Sequence, residues 1–348
     1  MKKFYLLLLL FPLLVVAQPK AGYYDAAVGK SDAVLKTQLY TIISTGYVTK
    51  TYDYLYTIYN TSDITSTGNV WDMYSTCTWT PGEKKCGNYS AVCDCYNREH
   101  SIPQSWFNKE SPMVSDAFHI YPTDGKVNGQ RGNNPYGECA NGTTLSGGKG
   151  KLGNCTFPGY SGTVFEPDDE YKGDFARTYF YFATRYQNIM TTIGGDSFNK
   201  TTYPSLSDWS VNLFLKWHRQ DIVSQKEKNR NNAVEVHQKN RNPFIDHPEL
   251  AEYIWGVKKG TPWSLTSGVD ALKVEFSISP NPTQDVLNIS TDVQNITCSV
   301  FNLNGQLLIQ EKFNNSGILS VATLDNGMYL IQIQSGNKKS IQKFIVNK

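Results

Sequence analysis

Asn97-Arg98-Glu99-His100 sets a carboxylate directly beside an imidazole, and Asp124-Gly125-Lys126-Val127-Asn128-Gly129-Gln130-Arg131 brings an amide and a guanidinium from a second short segment. These are the residue types needed to hydrolyse a phosphodiester with one hard metal ion. A carboxylate and an amide oxygen can hold Mg²⁺, and an imidazole, whose ordinary pKa lies near neutrality, can activate water. The reaction also needs a nucleophile in line with the leaving oxygen, and compensation for the charge that builds at phosphorus.

Neighbouring residues of a strand point to opposite faces. Glu99 and His100 can therefore share a site only at a strand end or bend, and Pro103 is consistent with a strand ending there. We expect a first strand that ends at Glu99-His100, a second strand over residues 119–121 and a short helix over residues 126–133. Gly129 and Gly132 are poor helix formers, so that helix should need support from its neighbours.

The elements that must position these residues change character along the chain. Residues 33–43, 174–190 and 207–217 carry apolar positions at helical spacing, with Ser207 as a candidate cap for the third. Beyond Ser267 the pattern becomes short alternating strands, over 274–278, 286–289, 296–302, 306–312, 317–321, 328–334 and 340–346. Asn304-Gly305 and Asn326-Gly327 supply turns between some of them. The expected fold class is α+β: a mainly helical domain carrying the strand–strand–helix site, followed by a small all-β sandwich. No internal repeat stands out.

The N-terminus joins a basic Met1-Lys2-Lys3 to an apolar run over 4–16 and a small Ala17, the pattern of an export signal over residues 1–17. That run is short for a span, which needs about 20 residues, and no later segment offers one. Export places the 7 cysteines in an oxidising compartment. Cys77 and Cys86 can pair with Cys93 and Cys95 in either order, and Cys139 and Cys155 bracket a Gly-rich loop they could close. Cys93-Asp94-Cys95 lacks zinc-knuckle spacing, and Cys298 reads as a buried single thiol in a strand. The net charge of +2 announces no partner by itself. Residues 216–241 are locally basic, a pattern that attracts phosphate or solvates a helix face.

Two resemblances sharpen this reading. Residues 22–263 resemble the bacterial endonuclease I family of ββα-metal nucleases. The match runs through Asn97 to Phe107, Asp116-Ala117-Phe118-His119-Ile120-Tyr121-Pro122, Asp124 to Asn133, Gly173 to Tyr181 and Asn240 to Glu249, in order. The second resemblance, carried by Ser279-Pro280-Asn281-Pro282, Val286-Leu287-Asn288-Ile289, Val300 to Gln306, Leu324 to Leu330 and Lys343 to Lys348, is to the C-terminal sorting domain of type IX secretion. The implied division is an export signal at 1–17, a nuclease domain at 18–263, a linker at 264–273 and a sorting β-sandwich at 274–348.

The first resemblance implies a metal-dependent, largely sequence-nonspecific endonuclease with 5′-phosphate products, DNA as substrate and RNA as a further one. It makes His100 the general base, and Glu99 and Asn128 the protein ligands of one Mg²⁺, a site that Mn²⁺ or Ca²⁺ also suits. Arg131, beside Asn128, is a candidate member of the catalytic set as a phosphate contact, with a surface salt bridge as the alternative, and Arg98 and Arg177 are further candidate substrate contacts. Arg98 reads first as a backbone brace, and Arg177 as a buried cation needing a partner or a phosphate. His119 reads as a core or supporting histidine. His218, His237 and His247 read as structural or DNA-facing, with His247 in a turn.

The second resemblance implies passage to the cell surface or medium and the secretion machinery as partner. We expect a monomer whose activity depends on its disulfides. Gly29-Lys30-Ser31 is no phosphate loop, since Tyr24 stands where the first glycine belongs. Two rival readings are an extracellular ribonuclease of the same fold, and a surface protein that binds nucleic acid or glycan without cutting. The second has no need of Glu99, His100 and Asn128 together.

Overall fold

Helices α1 (Asp32–Ser44), α2 (Leu55–Ser62), α3 (Gly125–Arg131), α4 (Lys172–Arg185), α5 (Asp208–Gln220), α6 (Gln225–Gln238), α7 (Pro243–Asp246) and α8 (Leu250–Ile254) surround short strands in a computed structural model of the chain. It describes residues 19–145, 147–265, 274–303, 306–336 and 338–348. The expected export signal, most of the linker and the Asn304-Gly305 turn lie outside these residues. Two compact units divide the chain, 1–265 and 266–348.

In the first unit α4 is buried along its length from Gly173 to Arg185. A helix apolar on nearly every face belongs inside a core. Tyr179 meets Phe214 of α5 at 4.4 Å between ring centroids, and Phe180 stacks on Trp255 at 4.9 Å. All 7 tryptophans of the sequence fall in this unit, Trp217 and Trp263 among its most buried side chains. The helix expected over 174–190 ends at Arg185 and passes into a 3-10 turn, Gln187–Ile189. Ser207 precedes α5 without capping it, because its hydroxyl donates to the Asp196 carbonyl at 2.8 Å.

Strand β1 (Tyr96–His100) pairs antiparallel with β2 (Ile120–Asp124), placing Glu99 opposite Tyr121 and His100 opposite Ile120. The second strand thus starts one residue later than expected, because His119 closes a 3-10 turn, Ala117–His119. Helix α3 follows β2 without a loop. Asp124 caps it by accepting from the Val127 amide at 2.9 Å, and Gly132 ends it at φ +61, a left-handed conformation that favours glycine. A three-stranded sheet of β3 (Thr143–Thr144), β4 (Lys151–Asn154) and β5 (Thr163–Glu166) lies beyond.

The second unit is all β. Strands β6 (Ser277–Ser279), β7 (Val286–Ser290) and β10 (Gly317–Ser320) form one antiparallel sheet. Strands β8 (Ile296–Phe301), β9 (Leu307–Phe313), β11 (Gly327–Ser335) and β12 (Lys338–Val346) form the other, in order β12-β11-β8-β9. Alternating inward residues, among them Leu287, Ile289, Val300, Ile331, Ile333 and Phe344, share one apolar core, as two packed sheets require. Cys298 is fully buried in β8, as expected. Among the described residues no helix is long and apolar enough to cross a membrane.

Candidate active site

Because β1 stops at His100, both Glu99 and His100 reach one cleft. It is lined also by Tyr52, Asn97, Arg98, Gln104, Asn128, Arg131 and Gly132, and holds about 110 Å³. Asn128 enters from α3, and Arg131 stitches that helix to β1. The Arg131 guanidinium donates from Nη1 to Glu99 Oε1 at 2.6 Å and to the His100 carbonyl at 2.8 Å, and from Nη2 to the Ser101 carbonyl at 2.8 Å. Its other face lies over the Tyr136 ring, 4.7 Å from the centroid. Arg131 is 1% exposed, its Nη1 and Nη2 are engaged within its own chain and its Nε is buried without a partner among the described residues, so the role the structure shows for it is the clamping of Glu99.

The two oxygens of Glu99 have different surroundings. Oε1 accepts from Arg131 and from the Tyr74 hydroxyl at 3.0 Å. Oε2 has no hydrogen-bond partner among the described residues and is not sealed from solvent. Burial pushes the Glu99 carboxyl above its ordinary pKa, and Arg131 and Tyr74 pull it back. A buried carboxylate with one open oxygen favours a cation at that oxygen.

The His100 imidazole is held on several sides. Nε2 lies 3.2 Å from the Val114 carbonyl, a contact that assigns the proton to Nε2. The ring is stacked on Tyr52 at 5.7 Å, and Phe107 and His119 pack behind it. Nδ1 finds no partner among the described residues and keeps contact with solvent. Burial first, then neighbouring His119, bring its pKa down to about 3, so the ring is neutral at physiological pH.

A family model described as Endonuclease I matches residues 31–249, which takes in every one of these side chains. The chain belongs to the endonuclease I family. A second match, to the family described as Secretion system C-terminal sorting domain, covers residues 277–347. The chain is thus an exported nuclease with a sorting tail. It is 36% identical over 247 residues to an extracellular ribonuclease of Bacillus amyloliquefaciens, covering 67% of this chain and 78% of that protein. It is 34% identical to an extracellular ribonuclease of Bacillus subtilis, over 70% of this chain and 83% of the relative. Identity to an Endonuclease-1 of Buchnera aphidicola is 27%, over 38% of this chain and 46% of the relative.

Within this endonuclease I domain the other expected contacts divide. Arg98 lines the cleft, its guanidinium 3.6 Å from the Tyr52 ring centroid. Nη1 donates to the exposed Asp53 at 2.6 Å and to the Tyr52 carbonyl at 3.2 Å. Arg177 is unexposed and is paired within its own chain. It donates bidentately to Glu227, at 2.5 and 2.8 Å, and to the Asp221 carbonyl at 2.7 Å. The basic run over 216–241 is largely consumed in the same way. Lys216 pairs with Glu138, Arg219 with Glu252, Lys226 with Asp174, Arg230 with Asp63, and Arg241 with Glu235 and Asp246.

None of the later histidines approaches a ligand role. His218 contacts the Pro248 carbonyl at 2.9 Å, His237 the Tyr54 hydroxyl at 3.3 Å, and His247 follows α7 beside Glu249.

The disulfides are Cys77–Cys93 and Cys86–Cys95. The bond expected between Cys139 and Cys155 is absent: both are thiols, and the Gly-rich loop is closed by the backbone ladder of β3 and β4 instead. Asp124 converges with Cys77 and Cys93, but those sulfurs are bonded to each other, so this cluster braces α3 and is no ion site.

Tyr74, Tyr52 and the Val114 carbonyl were missed by sequence reasoning. The two tyrosines stand 25 and 48 residues from the side chains they touch. A backbone carbonyl leaves no residue-type signal at all.

Proposed function

We propose that this nuclease hydrolyses phosphodiesters of DNA and RNA with little regard to sequence, with His100 as general base and one divalent metal ion on Glu99 and Asn128. The observation that carries the reading is the division of labour in the cleft. Arg131 and Tyr74 occupy one Glu99 oxygen and leave the other open, and the Val114 carbonyl occupies one His100 nitrogen and leaves the other open. The donor set fits a hard ion. A carboxylate and an amide oxygen suit Mg²⁺, Mn²⁺ or Ca²⁺, which take oxygen ligands and keep several waters, and the pair lacks the nitrogen and sulfur ligands that zinc prefers. When bound, the ion would neutralise charge on the phosphate and its leaving oxygen.

The chain's own groups do the rest. Neutral His100 takes a proton from water at Nδ1 while Tyr52 and Val114 hold its ring still. Arg98, with Nη2 uncommitted among the described residues, offers a donor to a phosphate oxygen at the cleft wall. The cleft is lined by charged and polar groups suited to a phosphate, so recognition falls on the backbone instead of the base. That favours activity on either sugar. The names of the two relatives at 36% and 34% identity give RNA added weight. The reading also includes a monomer.

The test digests supercoiled plasmid, single-stranded DNA and RNA in parallel with Mg²⁺, with EDTA, and with His100→Ala. Cutting of both nucleic acids that disappears with EDTA and with His100→Ala is the expected result. Degradation of RNA alone would restrict the enzyme to a ribonuclease, and metal-independent cutting would sink the proposed site.

A further inference from the structure

Two imidazoles lie side by side at the back of the cleft, and the chemistry above uses one. His119 is fully buried, its ring centroid 5.8 Å from that of His100, and Phe107 packs on both, at 6.0 and 5.9 Å. His119 Nε2 lies 2.7 Å from the Met113 carbonyl. The next carbonyl along the chain, that of Val114, is the one 3.2 Å from His100 Nε2. One short 3-10 turn, Met113–Ser115, therefore presents consecutive carbonyls to two neighbouring imidazoles. The His119 backbone closes the same circuit, because its carbonyl accepts from the Ser101 amide at 2.9 Å, one residue past the base.

The Met113 carbonyl has a second donor, the Asp116 amide, at a longer 3.3 Å. Beyond it the following turn is anchored separately. Asp116 accepts from the Phe118 amide and from the Tyr181 and Tyr186 hydroxyls. His119 is thus the short-range anchor at the Met113 end. Its Nδ1 is buried with no partner among the described residues. An apolar side chain would fill this space without that unpaired nitrogen, so the residue is explained by what Nε2 does and not by packing.

We propose that His119 is a positioning residue for the base. By fixing the Met113 carbonyl it aims the Val114 carbonyl at His100 Nε2, holds His100 in the Nε2–H tautomer and leaves Nδ1 open to water. This rests on the reading of His100 as the base.

The test compares His119→Phe, which fills the space without a donor, with His119→Gln, which can still donate to the Met113 carbonyl. His100→Ala is the reference. Plasmid cleavage gives kcat and KM, and ¹⁵N NMR of the metal-free full chain gives the His100 tautomer. The expected result is a folded His119→Phe with kcat down about tenfold or more, as lost orientation of a base entails. KM should stay unchanged, and the Nδ1–H form of His100 should gain population. His119→Gln should recover most of kcat and the Nε2–H form.

Wild-type kcat and tautomer in His119→Phe, with His100→Ala inactive, would overturn the positioning role while leaving the base in place. Should His119→Phe fail to fold, His119→Gln decides. Near-wild-type kcat with the Nε2–H form supports the role, and a lost kcat with that form intact overturns it. A fully active His100→Ala would remove the base assignment and this role together.

Discussion

At the scale of single residues, Arg131 matters as much as the groups that face the substrate. It is the fixed cation under Glu99 and a tie to two carbonyls at the end of β1. Breaking a buried pair from one side strands the other charge, at a cost of about 3–5 kcal/mol. Arg131→Met should therefore lower stability by that order in denaturant unfolding, and weaken Ca²⁺ or Mg²⁺ binding measured by calorimetry. Unchanged stability would show that Glu99 does not depend on it.

Lys36 offers a prediction away from the site. It is 1% exposed, donates to Gln187 at 3.1 Å and to the Thr202 carbonyl at 2.9 Å, and burial brings its pKa down to about 7. The unfolded chain binds this proton more readily than the folded one. The resulting penalty is full below pH 7 and fades as pH rises from about 7 toward the ordinary lysine value near 10.4. Lys36→Met should flatten the rise of stability with pH across that window, read as Tm against pH. Parallel curves for the two proteins would refute it. That Glu99, His100 and Asn128 line one cleft was legible because their proposed chemistry depends on residue type and local order. The partners that tune them were not, since Tyr74 and Tyr52 arrive through the tertiary fold and Val114 acts through its backbone.

At the scale of elements, α3 explains its own glycines. A Cβ at Gly125 would come within 2.5 Å of Cys86 Sγ, and one at Gly129 within 2.5 Å of the Tyr89 hydroxyl. The loop knotted by the two disulfides thus lies flat on the helix that carries Asn128, and the Cys93 amide donates to the cap residue Asp124 at 2.7 Å. On an open helix Gly→Ala stabilises by up to about 1 kcal/mol. Gly125→Ala should instead destabilise, because the disulfide sulfur cannot swing away. Gly129→Ala should cost less, since the far end of Tyr89 can move, and thermal melts of the two variants rank them.

The same packing predicts that reduction under native conditions lowers both Tm and nuclease activity. Closing a loop of about 15 residues contributes about 3 kcal/mol, close to the separation of 16 between Cys77 and Cys93. Full activity of the reduced protein would separate the disulfides from the site.

The strand ends and the tail sandwich were readable from alternation and turn residues. The boundaries of β2 and α3 moved because His119 closes a 3-10 turn and because Gly132 takes a left-handed conformation. Helix α2 and the β3–β5 sheet went unread, since one is Tyr-rich and eight residues long and the strands of the other span two to four residues.

At the scale of the whole molecule, the cleft groups and the sorting strands belong to separate units with separate apolar cores. A chain ending at Leu265 should keep the kcat of the full-length protein on plasmid, and loss of cutting in that shorter chain, if folded, would reveal dependence on the tail. The confinement of all 7 tryptophans to the nuclease unit gives the molecule an unequal optical signature. Intrinsic indole emission sees the catalytic half and is blind to the sandwich, so an unfolding curve followed by fluorescence and one followed by backbone dichroism would part wherever the tail melts on its own.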